Sequence, residues 1–438
     1  MTEATLLEKL KRLSAVQTAR DILPLSYAQF PGTHCPLFGV ALTTWNIRGL
    51  AVLVLGVEEC AYYTKNFVMM RARNDAAVGS DLFFSGCLSQ QDVIFGCRDA
   101  IGQALQEIER RSAPEAILIV STCIPELIGE DLEAELPVWQ ERLGGRLLLV
   151  KTDHFSCKNH IPGIECALAA LADLMTDQPL RAGSVNLLGQ RYRNLDETEL
   201  VQNLRRKGIA VHLELPCSGS VQSIREAPAA ALNIVTDPSG LPLARRMKER
   251  FGREYVSFPR YVAPERIAAA YGAIAAALRI DLAEEIEDGR RATERLIAEY
   301  QPDLQGTTYI YGNSPLLPLE LAEFLARLEM TPLLIQLREL YPGAEVDGAA
   351  LLAAGHDPYV TRVANIAPLQ SLYGQLRPNF YLGHESPERL AGHGIRQVVL
   401  DRLAARTGFE VTVNLMRQIG AAAQHNATPG KETRHAAV

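Results

Sequence analysis

Residues 116–131, AILIVSTCIPELIGED, decide the fold class. The segment opens with an apolar run of strand length, places a cysteine directly after it, and continues into a helical pattern. Comparable apolar runs, separated by helical patterns, lie at 51–55, 146–150, 185–188, 211–215, 232–235, 309–311, 332–336 and 379–382. Short strands that alternate with helices predict an α/β protein with parallel sheets flanked by helices.

Two passages divide this alternation into three parts. Residues 176–184 are rich in turn formers, and residues 281–300 form a long charged helical pattern. A chain of 438 residues is also longer than one hydrophobic core usually supports. We therefore predict three Rossmann-like domains and a disordered tail, with boundaries at 1–178, 179–295, 296–420 and 421–438.

Composition restricts the class of partner. The chain is 47% hydrophobic and 22% charged, with a formal net charge of −7. Binding to nucleic acid or to an anionic membrane requires a basic excess, so neither is expected as a partner. The sequence contains no apolar run of membrane-spanning length, and the amphipathic N-terminus does not resemble a signal peptide. We therefore expect a cytoplasmic protein.

The eight cysteines do not follow a local metal-binding pattern. They lie at positions 35, 60, 87, 97, 123, 157, 166 and 217, and no two of them form a Cys-x-x-Cys pair. Disulfides are rare in the cytoplasm, and zinc-finger and ferredoxin patterns depend on short spacings that are missing here. Any metal-binding set must therefore be assembled by the fold.

Three cysteines occupy positions that favour ligation. Cys60 and Cys123 each follow a predicted strand, and open parallel sheets bind ligands at the carboxyl ends of their strands. Cys35 lies in a loop between two prolines, where the backbone is stiff. The alternative, which the residue pattern leaves open, is that these cysteines are small buried hydrophobic side chains.

Four segments around these cysteines resemble nitrogenase component 1 in order and spacing. They are residues 32–39 (GTHCPLFG), 54–66 (VLGVEECAYYTKN), 91–96 (QDVIFG) and 121–131 (STCIPELIGED). Cys60 follows Cys35 by 25 residues, as the corresponding cysteines do in that family. The resemblance covers the first 170 residues well and is looser beyond them, where 226–233 (EAPAAALN) is similar to a segment of the family's β-type subunits.

The resemblance implies a cofactor and its ligands. Cys35, Cys60 and Cys123 would be thiolate ligands of one half of a P-cluster-type [8Fe-7S] centre. A homologous α-type partner subunit would supply the other half, in an α2β2 heterotetramer. Ser156 and Cys157 are further candidate ligands, because a serine in this region can bind the oxidised cluster in β-type subunits. Dark-operative protochlorophyllide reductase shows a similar spacing with a four-iron cluster, which is the alternative.

Departures from the family pattern assign the chain to the β type. The regions that would carry the cysteine and histidine ligands of the catalytic cofactor are 233–237 (NIVTD) and 411–415 (VTVNL), and neither ligand is present. A FeMo-cofactor-like or all-iron cluster is therefore expected in the partner, and no catalytic residue is assigned to this chain. A phosphate-binding loop is also missing from the sequence, so ATP hydrolysis would belong to a separate iron protein.

The resemblance therefore implies an electron-relay subunit of an ATP-dependent nitrogenase-like reductase. Among such enzymes, methylthio-alkane reductase is the first candidate. The alternatives are a scaffold subunit for nitrogenase cofactor biosynthesis and the β subunit of a dinitrogen-reducing nitrogenase. The family pattern alone does not separate these functions, because all of them use the same fold and the same cluster ligands.

Overall fold

A computed structural model of the chain describes residues 4–24, 34–72, 82–143, 146–153, 155, 159–190, 195–363 and 367–424. Helices and parallel strands alternate through these residues, and helices flank the sheets. The predicted α/β class is therefore confirmed.

The strands, in chain order, are β1 (Lys11–Arg12), β2 (Ile47–Arg48), β3 (Leu50–Gly56), β4 (Phe83–Cys87), β5 (Ala116–Ser121), β6 (Leu147–Lys151), β7 (Arg181–Gln190), β8 (Ala210–Pro216), β9 (Gly219–Ser220), β10 (Ala230–Val235), β11 (Tyr255–Ser257), β12 (Thr308–Tyr311), β13 (Thr331–Leu337), β14 (Tyr359–Arg362), β15 (Phe380–Leu382) and β16 (Arg396–Val398).

The α-helices, in chain order, are α1 (Ala4–Leu7), α2 (Pro36–Thr44), α3 (Glu58–Ala72), α4 (Gln90–Phe95), α5 (Arg98–Ser112), α6 (Cys123–Ile128), α7 (Leu132–Arg142), α8 (Ile161–Leu171), α9 (Glu199–Arg206), α10 (Val221–Arg225), α11 (Leu241–Phe251), α12 (Pro264–Leu278), α13 (Ala283–Leu304), α14 (Pro318–Arg327), α15 (Ala344–Ala353), α16 (Ala367–Ser371), α17 (Tyr373–Leu376), α18 (Pro387–Gly392) and α19 (Phe409–Gln424).

The chain divides into two compact units. One unit comprises Thr33–Pro259 and Ala270–Leu282. It contains two four-stranded parallel sheets, with strand orders β4-β3-β5-β6 and β11-β10-β7-β8. The first of these sheets, called the thiol sheet below, carries two of the three candidate cysteines directly after its central strands.

The thiol sheet is buried on both faces, which explains its nearly continuous apolar runs. On β3, Val52 and Val54 face one hydrophobic cluster, and Leu53 and Leu55 face another. Successive side chains of a strand point to opposite faces, so a strand covered by helices on both sides requires apolar residues throughout. This arrangement fixes the strand ends, and the loops that follow them, on a rigid support.

The other compact unit comprises Met1–Gly32, Arg260–Ala269 and Ala283–Val438. Its six-stranded sheet has the order β1-β14-β13-β12-β15-β16. All neighbouring pairs are parallel except β1 with β14. From β12 the chain first adds β13 and β14 on one side of the sheet and then β15 and β16 on the other side. This change of side is the arrangement of a doubly wound Rossmann-type sheet.

The predicted domain boundaries stay predictions. The three main parallel sheets follow one another along the chain, although the first two lie within one compact unit. The last helix extends to Gln424, so most of the predicted tail lies outside the described residues. Within the part of the chain that the structure describes, no helix is long and apolar enough to cross a membrane.

Candidate metal centre

Each of the three candidate cysteines lies at the start of a helix. Cys35 is the N-cap residue of α2, Cys60 is the third residue of α3, and Cys123 is the first residue of α6. The positive end of the helix dipole favours the thiolate, which is the form that binds metals. The sequence pattern suggests later helix starts near Cys60 and Cys123, but both residues already lie within their helices.

The register of the thiol sheet brings Cys60 and Cys123 to one edge. Strands β3 and β5 are parallel neighbours, with Leu55 opposite Ser121, and α3 and α6 begin just beyond their carboxyl ends. Two hydrogen bonds join the turns, because the backbone N–H and the hydroxyl of Thr122 donate to the Leu55 carbonyl at 3.1 and 2.9 Å. The two cysteines are therefore held on adjacent, cross-linked turns.

Gly56 makes this close approach possible. A Cβ atom added at this position would lie 1.9 Å from Thr122 Oγ1, well inside van der Waals contact. Any larger residue would push the turn before Cys60 away from the turn before Cys123. The requirement for glycine at position 56 is therefore steric, and it affects the turns that precede both Cys60 and Cys123.

Cys35 is positioned by helix packing. Helix α2 lies directly against α8, which follows the last strand of the thiol sheet. A Cβ added at Gly39 would lie 2.0 Å from the His160 carbonyl, and one added at Gly163 would lie 1.9 Å from the Pro36 carbonyl. Backbone-to-backbone contact at the start of both helices therefore fixes the residue that follows Cys35.

Aromatic side chains connect the helices that follow Cys35 and Cys60. The His34 ring stacks on Phe38 with centroids 3.9 Å apart, and Phe38 lies 4.3 Å from Phe67 of α3. Cys35, Cys60 and Phe67 also pack, partly buried, against the same hydrophobic cluster. These ring contacts therefore join the start of α2 to α3.

The three thiols interact electrostatically. Burial raises the pKa of the Cys60 thiol, and the nearby thiols of Cys35 and Cys123 raise it further. All three residues are half-buried, so they are partly shielded from solvent but not enclosed in the hydrophobic core. A bound cation or metal cluster would relieve the repulsion between the thiolates.

These thiols do not form a closed site for one ion. Among the residues that the structure describes, no group of three or more His, Cys, Asp or Glu side chains is arranged to hold a single metal ion. Thiolates are the usual ligands of iron–sulfur clusters, so the type of side chain at these three positions is suited to such a cluster.

Exposed apolar side chains occur on the elements that follow the four strands of the thiol sheet. We call the following residues the thiol-edge surface, with their exposed fractions in parentheses: Tyr62 (61%), Tyr63 (71%), Ile94 (72%), Phe95 (83%), Leu127 (67%) and Phe155 (68%). Exposed groups of large apolar residues commonly mark protein–protein contacts. The helical pattern after Cys60 suggests that Tyr62 and Tyr63 face the core, and this prediction is wrong.

The sequence profile of the nitrogenase component 1 type oxidoreductases matches residues 35–424. The chain belongs to this family. The match begins at Cys35 and continues through the sheets of both compact units. Membership of this family implies iron–sulfur clusters as the general class of cofactor.

Named relatives within the nitrogenase component 1 family have more than one role. The chain is 32% identical over 216 residues to the nitrogenase iron–molybdenum cofactor biosynthesis protein NifE of Clostridium pasteurianum, covering 48% of this chain and 46% of that protein. It is 23% identical over 241 residues to one of the subunits of the light-independent protochlorophyllide reductase of Heliobacterium modesticaldum, covering 54% and 45%. The matches thus span about half the length of these curated relatives.

A solved nitrogenase component 1 structure shows the same fold over nearly the whole chain. The structure of nitrogenase Cp1 at pH 6.5 superposes with a TM-score of 0.75, covering 94% of this chain and 96% of that one. Sequence identity is 14%, so this similarity concerns the fold alone.

The remaining candidates are placed as follows. Ser156 and Cys157 lie outside the described residues, so their role as further ligands stays a prediction. Cys97 is fully buried, as the sequence pattern suggests, and burial raises the pKa of its thiol to about 12. Cys87 and Cys166, for which the sequence favours a place in the core, are exposed.

Proposed function

We propose that the chain holds one half of an iron–sulfur cluster on Cys35, Cys60 and Cys123. In this role it relays electrons from an ATP-dependent iron protein to a cofactor in a homologous partner subunit. The observation that carries the proposal is the placement of three half-buried, electrostatically coupled thiols at the starts of three helices. Membership of the nitrogenase component 1 family supports the same cofactor class.

The residues of this chain contribute binding and positioning. The helix dipoles favour the thiolate forms, against the burial and the neighbouring thiols that raise the pKa of Cys60, and thiolates are soft ligands suited to iron. The ring contacts among His34, Phe38 and Phe67 join the start of α2 to α3. When bound, an iron–sulfur cluster supplies one-electron transfer, at a potential that the surrounding burial and hydrogen bonds adjust.

The thiol-edge surface supports a shared cluster. Its side chains lie on the segments that follow the four strands, as Cys60 and Cys123 do, and they leave apolar area exposed. We propose that a homologous α-type subunit covers part of this surface and completes a P-cluster-type [8Fe-7S] centre, in an α2β2 assembly. The iron protein would dock over the same junction, and a FeMo-cofactor-like or all-iron cluster would lie in the partner.

The cluster proposal is tested on the complex purified without oxygen. Replacing Cys35, Cys60 or Cys123 singly by alanine should lower the iron and sulfide content of the complex by the share that belongs to the shared cluster, together with the visible absorbance of that cluster, because each thiol supplies a ligand. Cys166→Ala is the matched control, since Cys166 is exposed on α8 and takes no part in the set. If all three variants retained the iron and sulfide content of the wild type, the proposal would be refuted.

The relay role is tested by turnover. With the iron protein, ATP and a methylthio-alkane, the complex should release methanethiol and the alkane, which requires two electrons and two protons per molecule. Parallel assays with dinitrogen would identify a nitrogenase β subunit instead. Loss of turnover in Cys123→Ala, with the partner's cofactor still present, would place the cluster on the electron path.

A scaffold role in cofactor biosynthesis is the second candidate, and the relatives named NifE favour it. A scaffold would bind a cofactor precursor, mature it without substrate turnover and release it. Transfer of a metal cluster from the purified complex to a cofactor-free acceptor protein would support this role. Substrate reduction without such transfer would instead support the relay.

A further inference from the structure

A cavity of about 450 Å³ lies along β8, the edge strand of the second four-stranded sheet. Its polar lining consists of Asp196, Arg205, His212, Glu214 and Ser218. This volume falls in the range of small-molecule sites, about 300 to 1,000 Å³. The cavity is separate from the three cysteines, and the electron-relay role makes no use of it.

Glu214 is the dominant charged group of the cavity. Its side chain is only 6% exposed, and one carboxylate oxygen accepts a hydrogen bond from the Leu195 N–H at 2.9 Å. Within the described ranges, no lysine or arginine forms an ion pair with it. Burial raises the pKa of Glu214 to about 7, and the neighbouring Asp196 carboxylate also raises it. Burying a carboxylate without a counter-ion costs free energy, so the binding of a cation beside it is favourable.

His212 is a second lining residue of the cavity, and within the described residues it carries an unused acceptor atom. It lies at an irregularity in the strand pairing, because Val185 pairs with Val211 while Asn186 pairs with Leu213, which leaves His212 as an extra residue on β8. Bulges of this kind often redirect a side chain at a functional site.

The imidazole of His212 is held as an acceptor. The ring hydrogen-bonds to the backbone of Glu226, and its Nε2 is buried without a hydrogen-bond partner in the described part of the chain. Burial, followed by the charge of Arg181, lowers the pKa of the ring, so the neutral form dominates at pH 7. Because the other nitrogen makes the backbone bond, Nε2 presents a lone pair.

The chemistry of the lining excludes other ligand classes. Arg205 is already paired with the Asp196 carboxylate, so among the described lining residues an incoming anion would meet two carboxylates and no unpaired cation. A wholly apolar ligand would leave Glu214 desolvated and unpaired, which costs free energy. The side chains described do not form a three-residue site for a metal ion.

We propose that this cavity binds a small organic cation, with an ammonium group paired to Glu214 and the hydrogen-bond acceptors His212 and Ser218 beside it. A short aliphatic diamine matches both the cavity volume and the mixed polar and apolar lining, which includes Ile209 and Val211. This site is independent of the cluster proposal, and it would remain if the iron–sulfur assignment failed.

The test uses the full chain in its purified complex, with putrescine as the probe, at about pH 8 so that Glu214 is largely ionised. Calorimetry should detect binding to the wild type, and Glu214→Gln should weaken it at least about tenfold, because a buried ion pair is lost. Glu254→Gln is the matched control, since Glu254 is 64% exposed and pairs with Lys248 outside the cavity. Its affinity should equal that of the wild type.

A second measurement covers the case in which Glu214→Gln does not fold. The ring resonances of His212 in the wild type should shift when putrescine is added, and equal concentrations of tetramethylammonium should leave them unchanged, because that ion cannot donate a hydrogen bond. Absence of putrescine binding to the wild type, or equal binding by wild type and Glu214→Gln, would overturn the proposal. Repeating the titration in Cys123→Ala should give the same affinity, which separates this site from the cluster.

Discussion

Glu320 lies fully buried beneath the start of α12. One of its carboxylate oxygens accepts hydrogen bonds from the Val262 and Ala263 backbone N–H groups, both at 3.0 Å. Burial raises the pKa of Glu320 from its ordinary value of 4.5 to about 8, although the two hydrogen bonds oppose this rise. This carboxyl therefore has a strong effect on the pH dependence of folding.

We expect the free energy of unfolding to fall as the pH rises from 4.5, the ordinary pKa of glutamate, to about 8, the raised pKa of Glu320. Between pH 4.5 and about 8 the folded state holds a proton that the unfolded chain has lost, so the free energy of unfolding decreases with pH. The expected loss is on the order of a few kcal/mol. Glu320→Gln cannot ionise, and its unfolding free energy should therefore depend less on pH.

Urea unfolding of wild type and Glu320→Gln between about pH 5 and about pH 8 measures this difference. Glu323→Gln, on the exposed side of the same helix α14, is a suitable control because its carboxylate pairs with Arg327 near the surface. Equal slopes for wild type and Glu320→Gln would contradict the assignment.

Single residues of the candidate site differ in how far sequence can predict them. The location of Cys60 and Cys123 at one sheet edge follows from their positions after two apolar strands. The proximity of Cys35 depends on the contact between α2 and α8, which leaves no periodic signal in the sequence. Exposure of Tyr62 and Tyr63 was not predictable either, because an apolar helix face has the same pattern whether it meets a core or a protein surface.

At the level of elements, the α2–α8 contact should control cluster binding. In Gly163→Ala the added methyl would overlap the Pro36 carbonyl, so the two helices must separate and move the adjacent Cys35. We expect a loss of about 1–3 kcal/mol in stability and a reduced iron content of the complex. Thermal unfolding and iron analysis measure the two effects.

Gly272→Ala provides the control for this substitution. Gly272 lies inside α12, and no atom lies within 4 Å of the position that its Cβ would occupy. Alanine there should raise stability by up to about 1 kcal/mol, because glycine is the weaker helix former, and iron content should not change. If Gly163→Ala behaved like Gly272→Ala, the packing argument for Cys35 would be wrong.

The elements themselves were largely predictable, with informative exceptions. All nine apolar runs named from the sequence lie within or overlap strands of the structure. Strands β1, β2, β4, β9, β11, β14 and β16 were missed; they are two to five residues long, and several of them, such as β11 and β16, lie at sheet edges. The pattern after Cys123 looked like one helix, but Gly129 adopts a positive φ of 74° and ends α6 before α7 begins.

For the whole molecule, the thiol-edge surface should determine assembly. Phe95 is 83% exposed at the end of α4, so Phe95→Asp removes apolar contact area without disturbing the core. We expect weaker association with the partner subunit, measured by copurification and analytical ultracentrifugation, because a buried interface would have to desolvate the new charge.

Val346→Asp is the corresponding control. Val346 is 61% exposed on α15, an element of the other compact unit, and the substitution adds the same charge to the surface. Its complex should form as in the wild type. An unchanged complex for Phe95→Asp, or equal losses for both variants, would show that the thiol-edge surface is not the contact.

The placement of the three cysteines on separate helix starts has a consequence for biogenesis. A zinc finger depends on its ion to fold, because its ligands lie on a scaffold too small to be stable alone. Here α2, α3 and β5 are anchored in a large apolar core. We therefore expect the newly made polypeptide to fold first and receive its iron as a late step. If a partner subunit covers this edge as proposed, we expect iron delivery to precede assembly, since a covered edge would be inaccessible to a delivering protein.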